Sequence, residues 1–160
     1  MSVVTASLPR PWPNPNTGQE VKQYPFNSQF TPFFSWLHSQ WYVWSGINNT
    51  FIKILPLDVE LWITSLSLAL WIQDDGFWDS GVILCTDNFT LAEVQRLQAI
   101  LESKFSLKTT INLKTRKNSK KVISHRIRIA ASSIPYLRTL VQPYFVPSML
   151  YKLGIGEKGV

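Results

Sequence analysis

Two adjacent carboxylates carry the clearest chemical potential in this sequence. Asp74 and Asp75 close the run Leu68-Ala-Leu-Trp-Ile-Gln-Asp-Asp-Gly76. With Leu61, Trp62, Ile63 and Leu66 upstream, residues 58–73 predict a helix with almost no polar face. A helix apolar nearly all round must be buried on nearly all sides. Ser65 and Ala69, four apart, leave room for a second helix to approach, and with Ile72 they form the expected helix-pair interface. Gly76 suits the left-handed position just past a helix end. Two acids at a helix C-terminus oppose the macrodipole, which carries about half a negative charge there. A bound divalent cation would offset that repulsion; the alternative is a solvated Asp-Asp-Gly turn.

Recognition of a polyanion is the second chemistry on offer. Two strands are expected at 107–115 and 122–130, and alternation separates their faces. Thr109, Ile111 and Leu113 share one side with Ile123, Ile127 and Ile129. Asn112, Lys114 and Arg116 share the other with Ser124, Arg126 and Arg128. The turn between them is Arg116-Lys117-Asn-Ser-Lys120-Lys121. A sheet with an apolar back and a basic front fits a major groove, with cations on phosphates and amide or guanidinium groups at base edges. The charge distribution agrees. The chain carries 16 Lys and Arg against 10 Asp and Glu, yet Ser103 to Gly156 holds eleven of the cations and no acid. Such asymmetry points to nucleic acid or an anionic membrane.

The elements that must position these groups follow from local signals. The first 29 residues, with Pro9, Pro11, Pro13 and Pro15 at alternate positions, read as an extended arm or a disordered tail. A turn or short strand at Phe30 to Pro32 precedes a helix burying Phe33, Phe34, Leu37 and Trp41. Val82 to Cys85 reads as a strand. Thr90 with Glu93 forms a capping box that opens a helix with Leu91, Val94, Leu97, Leu101 and Phe105 on one face. A last helix starts near Ser133, with Pro135 in its first turn, and runs to about Gln142. The fold class is therefore α+β.

Several function classes are excluded. The lone Cys85 forms no internal bridge, and with His38 and His125 as the only histidines no zinc site is plausible. His125 shares parity with the apolar face and reads as a core or edge histidine. There is no P-loop, dinucleotide glycine pattern or Ser-His-Asp signature. The most apolar run, Leu61 to Ile72, is about a dozen residues, short of the roughly 20 a membrane span needs. The N-terminus lacks the order of a signal peptide.

Leu68 to Gly76, followed by Phe89-Thr-x-x-Glu-Val-x-x-Leu97 and Lys104-Phe105, resembles the LAGLIDADG homing endonucleases. So do Ile127-x-Ile129 and the closing Pro143-Tyr-x-x-Pro-Ser-Met-x-Tyr-Lys-Leu153. The resemblance covers residues from about 30 to 153 and is nearest to two-repeat members from organellar introns. It implies an αββαββα repeat whose motif helix pairs with a second one and whose antiparallel sheet sits in DNA as half of a saddle. It implies that Asp75, with Gly76, binds divalent metal, Mg²⁺ if the protein is catalytically active. Lys152 and Lys53 match the family's two active-site lysines. Asn112, Lys114, Arg116, Lys117, Lys120, Lys121, Ser124, Arg126 and Arg128 fall where its sheet contacts nucleic acid.

The sequence also departs from that pattern. It holds one LAGLIDADG motif, while residues 30–57 resemble the end of a first repeat, 58–155 a complete motif repeat, and 156–160 a tail. One catalytic acid of the usual two is present, so a protein partner is expected to cover the motif helix and supply the other. That partner would be a first-repeat chain, a second copy or a large assembly. The main expectation is a DNA endonuclease half working in an organelle, mitochondrion rather than plastid, without membrane contact. The alternative is a catalytically silent RNA-binding derivative, either an intron maturase or a component of an organellar ribonucleoprotein.

Overall fold

A computed structural model describes residues 11, 13–20, 31–115 and 122–156. Most of the expected N-terminal arm and all of the basic turn 116–121 lie outside the described residues. The chain divides into two units, Met1–Trp41 and Tyr42–Val160. In the first, the short 3₁₀ turn Pro15–Thr17 is followed by α1, Pro32–Trp41. The expected helix forms, but the burial expected of it does not. None of its residues is buried, Phe33 and Trp36 are exposed, and Phe34, Leu37 and Trp41 are half-buried. Phe33 packs edge-on against Phe34 and tilted against Trp36.

The second unit opens with a hairpin that local signals did not announce. β1, Tyr42–Ser45, pairs antiparallel with β2, Thr50–Lys53, and Asn49 at φ 49° helps close the turn. Trp44 and Phe51 stand opposite each other with ring centroids 5.1 Å apart, a cross-strand aromatic pair of the kind that stabilises sheets. The apolar stretch read as one helix over 58–73 is broken. α2, Val59–Trp62, is a single turn; Ile63 and Thr64 are extended, and α3 runs Ser65–Asp75. Thr64 is the cause. Its hydroxyl accepts from the Ser67 amide at 3.1 Å and Ser67 Oγ accepts from the Thr64 amide at 2.7 Å. That reciprocal cap restarts the helix.

β3, Gly76–Trp78, follows α3 without a loop and turns back into β4, Val82–Cys85. Then come α4, Leu91–Phe105; β5, Thr109–Thr115; β6, Val122–Ile129; and α5, Ile134–Val141. The chain closes through the 3₁₀ segments Gln142–Tyr144 and Pro147–Leu153. The sheet order is β3-β4-β6-β5, antiparallel throughout, with an irregularity between Lys114 and Thr115. One sheet face meets the helices. Leu68, Ala69 and Ile72 of α3, Val94, Leu97 and Leu101 of α4, and Leu137 and Val141 of α5 close over Val82, Leu84, Ile127 and Ile129. Each fully buried branched aliphatic contributes about 1.5–3 kcal/mol. Among the described residues no helix is long and apolar enough to cross a membrane.

The capping box at α4 forms as expected and also reaches beyond its helix. Glu93 Oε2 accepts from the Thr90 amide at 2.7 Å, and its Oε1 accepts from the Leu55 amide at 2.7 Å. Arg96 donates to the carbonyls of Pro56 and Leu57. The connector after β2 is thus latched to the start of α4. Burial works to raise the Glu93 pKa, but its bonds to Thr90 and Leu55 and the nearby Arg96 outweigh it and hold the carboxyl below its ordinary value. The depressed folded pKa means the contribution is complete above the unfolded value near 4.3 and is lost as pH falls through the folded one. Glu93→Ala is therefore expected to cost about 1–2 kcal/mol at pH 7. Urea melts at pH 7 and pH 3 check this, with the gap between variant and parent closing at the lower pH.

Candidate nucleic-acid interface and acidic helix end

Asp75 is the last residue of α3 and is exposed, as is Asp74. Gly76 is not left-handed as expected. Its φ is −85° and its ψ is 160°, so it is extended and already belongs to β3. What demands glycine is space. A Cβ there would lie 2.7 Å from the Ile72 carbonyl oxygen and 2.8 Å from Ile72 Cα. The strand therefore leaves flush against the helix's own last turn, and Asp75 is held at the junction of helix and sheet. β3 pairs with β4 from Gly76↔Leu84 onward, and the Asp75 charge just before it acts on Cys85 at the end of β4. Burial is the main reason the Cys85 thiol is held above its ordinary range; Arg126 works against it, while the charges of Asp75 and Asp87 add to it.

Lys152 does come to this end of α3. Its ammonium donates to the carbonyls of Gln73 and Asp74. The repulsion anticipated between two acids and the helix C-terminus is thus met by a cation of the chain itself, in the position where one stabilises the dipole. Lys53 lies against an aromatic ring. Its ammonium lies 4.6 Å from the centroid of the Phe89 ring, and among the described residues no ion pair or hydrogen bond joins it to Asp75.

A set of residues that sequence reasoning missed holds Lys152 in place. Gln73 is buried; its amide donates to the Ala69 and Tyr144 carbonyls and its oxygen accepts from the Val146 amide at 2.8 Å. Arg138 donates to the Leu153 and Gly154 carbonyls, and its guanidinium lies 5.8 Å from the Trp78 ring centroid. Gly154 has φ +68°, and a Cβ there would fall 2.5 Å from Trp78 Cζ2. Gly154→Ala is expected to cost about 2–4 kcal/mol, combining left-handed strain with overpacking against a rigid indole. Chemical denaturation checks it, and Trp78→Leu in the same background should recover part of the loss.

The front of the sheet carries the residues expected there. The pairs Asn112↔Arg126, Lys114↔Ser124, Cys85↔Arg126 and Ile83↔Arg128 place Asn112, Lys114, Ser124, Arg126 and Arg128 on one face. Asp75 ends α3 at the start of β3, close enough to Cys85 of that face for its charge to act on the thiol. Arg126 lies over the Phe77 ring at 5.3 Å. Arg116, Lys117, Lys120 and Lys121 lie outside the described residues.

The face is not uniformly basic, and here the sequence reading is corrected. Asp87 accepts from Lys114 at 3.0 Å and has Arg126 at 3.8 Å. Asp79 accepts from Arg128 at 3.1 Å, and its backbone carbonyl takes a second bond from the same guanidinium. Burial works to raise the Asp87 pKa, but the Ser124 hydroxyl, Lys114 and Arg126 prevail and hold its carboxyl low. Both acids sit in loops 27 and 49 residues from their partners, so no local pattern announced them.

The helix-pair interface is also corrected. Ala69 and Ile72 are wholly buried in the chain's own core, and Ser65 is half-buried. The apolar residues of this region that remain exposed are Leu61 at 75%, Leu66 at 48% and Leu70 at 54%. Leu66, Leu70 and Asp74, four apart, form the open stripe of α3.

Comparison with known proteins agrees with this architecture. The chain is 34% identical over 137 residues to the cytochrome b mRNA maturase bI2 of Saccharomyces cerevisiae, covering 84% of this chain and 31% of that protein. It is 36% identical to the maturase of the same name from Debaryomyces hansenii over 140 residues, 87% of this chain and 49% of that one. It is 28% identical over 148 residues to the DNA endonuclease I-ChuI of Chlamydomonas applanata, 89% of this chain and 67% of the relative. Among solved structures, the homing endonuclease I-WcaI bound to its DNA recognition sequence superposes with a TM-score of 0.68 at 28% identity, over 95% of this chain and 64% of that one. The chain thus spans about a third to a half of the maturases it matches and just under two thirds of the solved structure. Residues 6–137 match the profile described as the LAGLIDADG DNA endonuclease family, and the chain belongs to that family.

Proposed function

We propose that this chain is one lobe of a LAGLIDADG homing endonuclease, which lays the β3-β4-β6-β5 front against DNA and brings Asp75 to the cut. The observation that carries this is a juxtaposition. Asp75 ends α3 one residue before β3 and its charge is felt at Cys85, which pairs with Arg126 on the face of Asn112, Lys114 and Arg128, and Lys152 is fixed to the same helix end. Groove-facing side chains and a catalytic carboxylate brought together are what sequence-directed phosphodiester cleavage requires. The likeness to a DNA-bound homing endonuclease over 95% of this chain supports the reading.

Asp75 is suited to a hard divalent cation, Mg²⁺ in this proposal: it is an exposed carboxylate with oxygen donors only. It fits as one donor of a shared site, since no group of three or more candidate ligands occurs among the described residues. When bound, such a metal polarises the scissile phosphate and lowers the pKa of a water. The chain's own residues do the rest. Lys152 offsets the partial negative charge of the helix terminus at which Asp75 stands. Gly76 and Gln73 fix the backbone on either side of it, and the sheet front orients the duplex.

A second lobe is therefore part of the proposal, supplied by another chain, a second copy or a larger assembly. The exposed Leu61, Leu66 and Leu70, with Ile47 at 98% and Leu57 at 93% exposure, support a partner surface. Likeness to proteins named as cytochrome b mRNA maturases supports an organellar home, the mitochondrion rather than the plastid. The same likeness favours one alternative, an RNA-binding role in splicing or in a ribonucleoprotein. Crosslinking the protein in its cell and sequencing the attached nucleic acid separates the two. A short DNA site where an intron can insert is expected; abundant structured RNA would give the alternative instead.

A further inference from the structure

We infer that Asp87 and Asp79, the carboxylates gripping the reading cations, are specificity-determining residues that weaken binding to arbitrary sequence. The inference rests on the sheet front being the nucleic-acid face. Among the described residues that face carries Lys114, Arg126 and Arg128, and each already has a carboxylate. Asp87 holds two of them at once, with side chains a quarter to a third exposed. Arg128 is held twice by Asp79, through the side chain and through the main chain.

The pairing changes what each cation reports. A free lysine or arginine gains from any phosphate nearby, and that attraction is independent of sequence. A cation already beside a carboxylate gains less, because an approaching phosphate is repelled by the same carboxylate. It still gains from a base-edge acceptor in the right place, such as the guanine O6 and N7 pair that suits a guanidinium. The carboxylates therefore act against the wrong partner more than the right one, which is how charge produces discrimination.

The local geometry supports a fixed arrangement. Arg126 is held between the Phe77 ring and Asp87. Arg126 Nε, Ser124 Oγ and Asp87 Oδ1 are buried together, with the Ser124 hydroxyl beside the Asp87 carboxyl. These buried polar atoms belong to residues of the sheet front.

The test uses the full chain, a mixed-sequence 25-bp duplex and the duplex it selects from a random library, read by fluorescence anisotropy. Asp87→Asn and Asp79→Asn should each tighten mixed-sequence binding about fivefold to tenfold near 0.1 M salt and steepen the salt slope by about 1. The selected duplex should tighten less, so the ratio of the two affinities falls. Asp79 is the safer variant, being 64% exposed and removing no packing. Unchanged or weaker mixed-sequence binding in both variants overturns the inference, as does equal loss on both duplexes, the mark of a purely structural role. The double variant Lys114→Gln, Arg126→Gln tests the underlying reading. If it binds duplex as well as the parent, the face itself is wrong. If it binds more weakly while the aspartate variants do not bind more tightly, only the inference fails.

Discussion

Replacing Asp75 with asparagine is expected to abolish metal-dependent double-strand cleavage by the assembled nuclease while leaving duplex affinity within about twofold. Losing an outer-shell partner of a metal ligand costs about 10–100-fold, and losing the ligand itself should cost more. Binding is spared because Asp75 is exposed at the helix end and, among the described residues, no hydrogen bond of the fold depends on its side chain. In the proposed mode affinity comes instead from the cations of β5, β6 and residues 116–121. Neutralising one acid beside the duplex backbone should tighten binding slightly. The measurement is a pair of titrations, one of cleaved product in Mg²⁺ and one of bound duplex in Ca²⁺ or EDTA. A variant that stops binding would make Asp75 a structural residue.

Gly76→Ala should damage stability and cleavage together. The obstruction is backbone: the Ile72 carbonyl and Cα lie 2.7 Å and 2.8 Å from the new carbon. A flexible neighbour could swing away, but Ile72 is wholly buried and cannot yield without unwinding the last turn of α3. Overpacking of this kind costs about 1–3 kcal/mol, occasionally more. The cost is both stability and geometry, because the same shift displaces Asp75 and the carbonyls that hold Lys152. The expected result is a lower urea midpoint together with a loss of cleavage larger than the loss of folded protein. Equal losses would mean that the junction matters only for folding.

What the sequence made legible was whatever is encoded locally. The α4 capping box, the alternation of β5 and β6, and Pro135 at the start of α5 each act within a few residues, and each element formed as expected. Strand parity alone placed Asn112, Lys114, Arg126 and Arg128 on one face. The break before α3 was missed although its signal, Thr64 with Ser67, was present; the apolar run around it dominated the reading. The β1–β2 hairpin was missed because Tyr42 to Ser45 continues the aromatic composition of α1 with no alternation of polarity.

The remaining errors concern distance in the chain. Lys152 meets residues nearly 80 positions away, and Asp79 meets Arg128 across 49. Counting charges therefore overstated how basic the sheet front is. The mis-set helix-pair face has a different cause. When every position of a helix is apolar, composition does not say which side the chain covers for itself. The fold decides that, and it takes Ala69 and Ile72 inward while leaving Leu66 and Leu70 out.

The central claim is that the front of the sheet, not the back, meets nucleic acid. Asn112 and Leu113 are neighbours on opposite faces, and Leu113 at 60% exposure is the more accessible of the two. A photoreactive residue introduced at one position or the other, followed by irradiation with the duplex the chain selects from a random library, tests the claim directly. The account predicts a nucleic-acid adduct from position 112 and none above background from 113. Adducts from 113, or equal yields from both, would contradict it.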